Sequence, residues 1–306
     1  MYRAGAWAAA ALPEQVLYPL AEGTGRLVAA LPDIDGRRAL VASHMNRVLG
    51  RPLSRPGRRR MVGDVFANYG RYWAESLKLP SLSHADVAAG TATLGAEHLH
   101  EGLARGRGVV IVAPHLGGWE WGAFYLTGTG LAMTVAVEPL TPPDVFEWFA
   151  GYRRRLGMHV VPVGPKAAGT LLRALRENHI VCLLADRLVA EAAGVEVDFF
   201  GAPVRLPAGP VTLAARSGAV LLTAAIYYGR PEASHTIVFR PPLDVTVAGN
   251  FRESVQKGTQ MVADELQELI KAAPAQWHLV QPNWPGDPPL RRLPHLRRGL
   301  AATAPL

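Results

Sequence analysis

The 306-residue chain has one cysteine, four lysines and no run of eighteen apolar residues. Each shortage removes a class of protein. A single thiol, Cys182, excludes an internal disulfide framework and fits a reducing compartment. Its position in the apolar run Ile180 to Ala185 marks it as a core side chain rather than a nucleophile. Without a long apolar run, no membrane-spanning helix is expected. There is no Gly-x-Ser-x-Gly elbow and no Gly-Lys-Ser/Thr phosphate loop, and Gly128-Thr129-Gly130 lacks the third glycine of a dinucleotide fingerprint. The run Glu97-His98-Leu99-His100-Glu101 alternates donors along a helix, which points them apart, so no metal site is expected there. Nothing resembles a zinc finger or an RNA-binding aromatic signature, and nucleic acid is not an expected partner. No charge run or low-complexity linker splits the chain into comparable halves.

What is abundant is arginine. Lysine occurs only at positions 78, 166, 257 and 271, so arginine carries nearly all of the +7 formal charge. Such a balance implies an anionic partner, a lipid surface or a nucleotide-containing co-substrate, although with high Ala and Gly it also fits a GC-rich coding sequence. Basic clusters stand at Arg55, Arg58, Arg59 and Arg60, at Arg153 to Arg155, and at Arg291, Arg292, Arg297 and Arg298. Residues 3–12 superficially resemble a short signal sequence. They are only weakly apolar and run on helically through Glu14 to Tyr18, so an amphipathic surface helix is expected instead.

Hydrophobic periodicity predicts helices throughout residues 1–80, an N-terminal helical extension expected to contact a membrane surface. Its stripes include Leu17, Leu20, Leu27 and Val28, and later Val62, Val65, Phe66, Tyr69, Tyr72 and Trp73. A helix is expected over 92–104. Beyond it, strands near 109–113, 132–137, 159–163, 180–185, 194–199, 219–228 and 235–240 alternate with helices near 118–128, 143–156, 166–177, 208–217 and 251–272. That alternation predicts an α/β core over 81–285, with a mostly parallel central sheet covered by helices on both faces. A basic Pro/Arg-rich tail follows over 286–306.

One motif carries chemistry. Val109 to Ala113 reads as a strand buried on both faces, Pro114 ends it, and His115-Leu116-Gly117-Gly118-Trp119-Glu120 turns into a helix. The spacing is weak by itself, since composition supplies about 0.8 chance matches of a histidine five positions before a carboxylate. Its setting is stronger, because ligands of open α/β sheets bind at the carboxyl ends of strands. On one continuous helix the two side chains would point about 140° apart, so any direct pairing requires His115 to lie outside the helix. A neutral imidazole there suits a general base for acyl transfer to a hydroxyl, with a carboxylate to orient the ring. A satisfied structural histidine is the alternative. Trp119, Trp121, Phe124 and Tyr125 either line a groove or pack the core.

Several further blocks occur in order. They are Met45-Asn46-Arg47-Val48-Leu49-Gly50, Tyr72-Trp73-Ala74-Glu75-Ser76, Tyr152-Arg153-Arg154-Arg155-Leu156-Gly157-Met158, Cys182-Leu183-Leu184-Ala185-Asp186-Arg187, Gly194 to Gly201, and Arg205-Leu206-Pro207-Ala208-Gly209-Pro210. With the histidine motif, this series resembles the lysophospholipid acyltransferase superfamily, in the branch of lipid A late acyltransferases and phosphatidylinositol mannoside acyltransferases. The resemblance covers most of residues 40–285. It implies that His115 is the general base, that Glu120 supports it, and that Glu196 lies close to the histidine. It also nominates Glu138, Arg153 and Arg205 as substrate-binding groups. Acyl-CoA is then a co-substrate supplying a long-chain acyl group, no cofactor is required, and the expected acceptor is a hydroxyl of a membrane glycolipid, a phosphatidylinositol mannoside, met from the cytoplasmic face by a peripheral protein. The chain departs from that pattern with Glu120 where Asp is frequent, and with Asp186-Arg187-Leu188-Val189 in place of Asp-Arg-Asp-Leu. The acceptor therefore stays open, with another lysolipid or glycolipid, a noncatalytic lipid-binding role or a thioesterase as alternatives.

Overall fold

A computed structural model describes residues 9–33, 35–139, 143–189, 192–229, 234–247 and 249–291, with backbone alone at 143–145. The expectations for most of the basic tail and for most of the leader-like segment lie outside the described residues.

Residues 9–11 are helical, and the helices α1 (Glu14–Ala30), α2 (Arg37–Val48) and α3 (Arg55–Lys78) follow. A short α4 (His84–Ala89), opened by a capping box between Ser83 and Asp86, leads to strand β1 (Thr91–Leu94) and α5 (Ala96–Ala104). The expected helix over 92–104 thus begins only at Ala96. Its first residues form an edge strand parallel to the segment His235 to Val238, where Thr91 and Thr93 suit a half-buried pleat, and Gly95 in the left-handed region turns the chain into α5.

The remaining elements alternate. They are β2 (Val109–Ala113), α6 (Trp119–Gly128), β3 (Met133–Val137), α7 (Pro143–Arg155), β4 (Met158–Pro162), α8 (Ala167–Arg176) and β5 (Ile180–Leu184), then β6 (Gly194–Phe199), β7 (Ala202–Pro207), α9 (Gly209–Ser217), β8 (Val220–Tyr228), β9 (His235–Phe239) and α10 (Phe251–Ala272). Seven strands form one sheet in the order β1-β9-β8-β2-β5-β3-β4, parallel except for the β8–β9 pair. The 194–199 segment is not part of it. With β7 it makes a separate antiparallel ribbon, and β7, with its two prolines, was not expected as a strand.

The sheet is buried on both faces, as the unbroken apolar run of β2 requires. Val110, Val112 and Val181 face a layer built with α2, α3, α8, α9 and α10; Val109, Ile111 and Ile180 face a second layer with α5, α6 and α7. Each such side chain contributes about 1.5–3 kcal/mol when fully buried. Helices α2 and α3 therefore belong to the packed core. Only α1 departs, because Leu17 and Tyr18 are buried while Leu20, Leu27 and Val28 are exposed. Among the described residues no helix is long and apolar enough to cross a membrane.

Candidate active site

Strand β2 lies between β5 and β8, and its register with β5 aligns Val109 to Ala113 with Ile180 to Leu184. Two residues past the last paired positions stand His115 and Asp186. They meet directly, with His115 Nδ1 2.5 Å from Asp186 Oδ1. The other carboxylate oxygen accepts the His115 backbone N–H at 3.0 Å and the Trp277 indole N–H at 2.7 Å. Asp186 is fully buried. Burial alone would raise its pKa, but the adjacent His115 charge and the donors from His115 and Trp277 hold it below the ordinary carboxylate value. An ionised Asp186 only accepts, so Nδ1 carries the ring proton and Nε2 is left as the basic nitrogen.

The turn around His115 is clamped by the segment after α10. The Gly117 N–H bonds to the Gln276 carbonyl, the His278 N–H to the His115 carbonyl, and the His278 ring bonds through Nε2 to the Gly117 carbonyl. Gly117 has φ +60°, and a Cβ there would fall 1.8 Å from the Ile226 carbonyl oxygen, so only glycine allows this approach. Burial pushes the His278 imidazole down to about 3, against the modest support of its Gly117 hydrogen bond. It stays neutral and acts as a fixed donor. On the other side of the turn, the buried pair Glu75–His235 (2.7 Å) presses against Gly118, and Trp121 stacks on His235.

Glu120 lies in the first turn of α6, yet it does not hold the histidine. Its carboxylate is gripped by Arg153 of α7, with Nη2 at 2.6 Å and Nε at 3.0 Å from Oε1. The hydrogen bond to the His115 ring, expected from Glu120, is made by Asp186, because Glu120 belongs to the helix while His115 precedes it and its Nδ1 faces β5.

A cavity of about 420 Å³ spans the carboxyl end of the sheet. Its apolar wall includes Ile111, Met133, Val135, Cys182 and Ile226 on the α6 face, and Ala167, Leu171 and Leu213 on the other. Its polar side chains are His115, Glu120, Glu138, Arg153, Arg187 and Thr212, with Arg187 bonded to Glu138. Burial raises the Cys182 thiol to about 12, so it lines the cavity as an apolar group rather than a thiolate.

Of the six residues expected at the site, His115, Glu120, Glu138 and Arg153 share this wall. Glu196 and Arg205 do not. They face each other across the β6–β7 ribbon and are exposed, Arg205 bonding to the Gly194 carbonyl. The expectation that Glu196 lies close to His115 is corrected by strand alternation, which turns Glu196 and Asp198 outward and buries Val197 and Phe199. Asp186, Arg187, Trp277 and His278 complete the surroundings of the His115 turn and the cavity without a sequence expectation attached to them. The sequence signal for Asp186 was its place just beyond a buried strand.

A base with a fixed tautomer above an apolar cavity suits acyl transfer to a hydroxyl. The sequence model of the bacterial lipid A biosynthesis acyltransferases matches residues 1–285. The chain belongs to that family. Within this acyltransferase family it is similar to a phosphatidylinositol mannoside acyltransferase of Mycobacterium tuberculosis (strain CDC 1551 / Oshkosh), 35% identical over 94% of the chain and 88% of the relative. A phosphatidylinositol mannoside acyltransferase of Mycolicibacterium smegmatis (strain ATCC 700084 / mc(2)155) is 31% identical over 94% of the chain and 91% of the relative. A lipid A biosynthesis acyltransferase of Haemophilus influenzae (strain ATCC 51907 / DSM 11121 / KW20 / Rd) is 24% identical over 60% of the chain and 56% of its own length. The chain is accordingly an acyltransferase of lipid biosynthesis.

Proposed function

We propose that this acyltransferase moves a long-chain acyl group from acyl-CoA to a hydroxyl of a membrane glycolipid, a phosphatidylinositol mannoside, with His115 as general base. The observation that carries it is the His115–Asp186 pair at 2.5 Å on the wall of an apolar cavity. Nε2 takes the proton of the acceptor hydroxyl as its oxygen attacks the thioester carbonyl carbon. The tetrahedral intermediate then collapses, the C–S bond breaks, and the departing thiolate takes the proton back from the imidazolium. An ester and free CoA result, and no covalent enzyme intermediate is required.

Asp186 fixes the tautomer and stabilises the imidazolium. The Glu120–Arg153 pair shapes the wall beside the base, and the Glu138–Arg187 pair offers polar contacts to the acceptor or to the donor's phosphates. Exposed Arg205 and Glu196 stand where they would meet the head of a substrate outside the cavity. The acceptor class is supported by two relatives named phosphatidylinositol mannoside acyltransferase. The protein would meet that acceptor as a peripheral protein at the cytoplasmic face of the membrane.

Purified protein incubated with labelled palmitoyl-CoA and a panel of lipid acceptors tests this reading. Acceptor-dependent acylated product with matching CoA release is expected, and His115→Ala should lower the rate by about 10²–10⁴-fold with the fold retained. CoA release without acylated lipid would make the enzyme a thioesterase. Normal turnover of His115→Ala would remove the base from the mechanism.

A further inference from the structure

We propose that the outer face of α1, together with the arginines opening α3, is the surface by which the protein docks on an anionic lipid bilayer. The proposal rests on the reading above only in that it takes the acceptor to be held in a membrane. Eight large hydrophobic side chains are exposed among the described residues, and five of them belong to α1 and its C-cap: Val16, Leu20, Leu27, Val28 and Leu31, each 48–63% exposed. At 3.6 residues per turn, Val16, Leu20, Leu27 and Leu31 fall within about 60° of one another. They form one stripe, and clustering of this kind marks an interaction surface.

The helix holds that stripe in a fixed direction. Its opposite side packs antiparallel on α3 with almost no space between backbones. A Cβ on Gly25 would lie 2.1 Å from the Phe66 carbonyl oxygen, and one on Gly70 would lie 2.5 Å from that of Ala21. Leu17 and Tyr18 fill the seam. The apolar residues therefore face outward because the inward face is already fully used.

Beside the C-terminal end of the stripe lies an open hollow of about 800 Å³ lined by Ala29, Asp33, Arg38, Arg55, Arg58 and Arg59, among others. Asp33 is engaged by Arg38, and Asp64 is shared by Arg26 and Arg60. Among the described residues no acid answers Arg55, Arg58 or Arg59, which are all exposed. Apolar side chains at the depth of acyl chains, flanked by guanidinium groups at the depth of phosphates, match the chemistry of an anionic bilayer surface. A second copy of the chain fits less well, because a two-fold contact through the stripe would bring two such arginine clusters together.

Sedimentation of the full chain with vesicles tests the proposal, using phosphatidylcholine alone and phosphatidylcholine with one-third phosphatidylglycerol. The wild type should partition onto the anionic vesicles at least tenfold better than onto the neutral ones, and rising salt should weaken it. Leu20→Glu/Leu27→Glu should lose at least tenfold of that binding. Arg55→Gln/Arg58→Gln/Arg59→Gln should lose the anionic preference and most of the salt dependence. All these positions are exposed, and circular dichroism verifies that the variants fold. Both variants should keep wild-type transfer to a detergent-dispersed acceptor. Equal binding to both vesicle types, or variants that bind as the wild type does, would overturn the proposal. So would a shift from dimer to monomer in ultracentrifugation of the leucine variant. An absence of acyl transfer in every assay, with vesicle binding intact, would instead overturn the catalytic reading and leave the docking face standing.

Discussion

Trp277 stands 162 positions beyond His115 in the chain, yet its indole N–H completes the environment of the carboxylate that orients the imidazole. With the His115 ring and backbone N–H groups, it gives Asp186 three donors in a site closed to water. Trp277→Phe keeps most of the packing and removes one donor. The carboxylate is then less well fixed beneath the imidazole. Two changes are expected: kcat lower by about tenfold, as for loss of one hydrogen bond to a charged group, and KM nearly unchanged. A variant that only loosened packing would lower the folded fraction and leave kcat per folded molecule at the wild-type value. Steady-state kinetics normalised to the folded fraction from circular dichroism separates the two, and an unchanged kcat per folded molecule would leave Trp277 as a packing residue. The sequence could not announce this partner, because nothing in Gln276-Trp277-His278 signals which strand end it will meet.

The elements were more legible than their arrangement. Unbroken apolar runs such as Val109 to Ala113 and Ile180 to Leu184 mark buried strands, and the stripe through Val255, Val262, Leu266 and Leu269 marks α10. Run length and period say nothing of strand order. Because β5 lies next to β2 in register, His115 and Asp186 emerge side by side, whereas the family motif, read along the chain, nominates Glu120 beside His115. Glu196 shows the opposite case, since its position is legible locally. The alternation in Gly194-Val195-Glu196-Val197-Asp198-Phe199 puts its acids on the outer face of the ribbon.

The Glu120–Arg153 pair joins α6 to α7 and has its own consequence. Both groups are buried, so removing one leaves a charge without a partner. Glu120→Ala should destabilise the fold by about 3–5 kcal/mol, while Glu120→Met combined with Arg153→Met should recover much of that loss. Denaturant titration of the three proteins checks the order. If the double variant were less stable than Glu120→Ala, the pair would be contributing net stability rather than positioning the two helices.

For the molecule as a whole, buried titratable groups set how stability depends on acid. His278 has its folded value pushed down to about 3 by burial, against an ordinary value of 6.5. The unfolded chain therefore binds a proton below 6.5 that the folded chain refuses until about pH 3. Stability is full above the unfolded value and declines as pH falls, with a slope approaching about 1.4 kcal/mol per unit for one proton. Asp186 and Asp287 act lower. Burial opposes ionisation in both, but His115 and Trp277 around Asp186, and His44 with two backbone N–H groups around Asp287, hold them below the ordinary 3.8. Their contribution is present above 3.8 and is lost as pH falls through the lowered folded values. Two acid windows follow, and the upper one isolates a single residue. His278→Gln keeps a donor for the Gly117 carbonyl and cannot take up the proton. Between pH 6.5 and 5 the wild type should lose about 1 kcal/mol per pH unit more than this variant, while both should steepen together below pH 4. Urea titrations at half-unit steps check it. Parallel curves through the upper window would mean that His278 is protonated in the folded protein, and the fixed neutral donor behind the His115 turn would have to be abandoned.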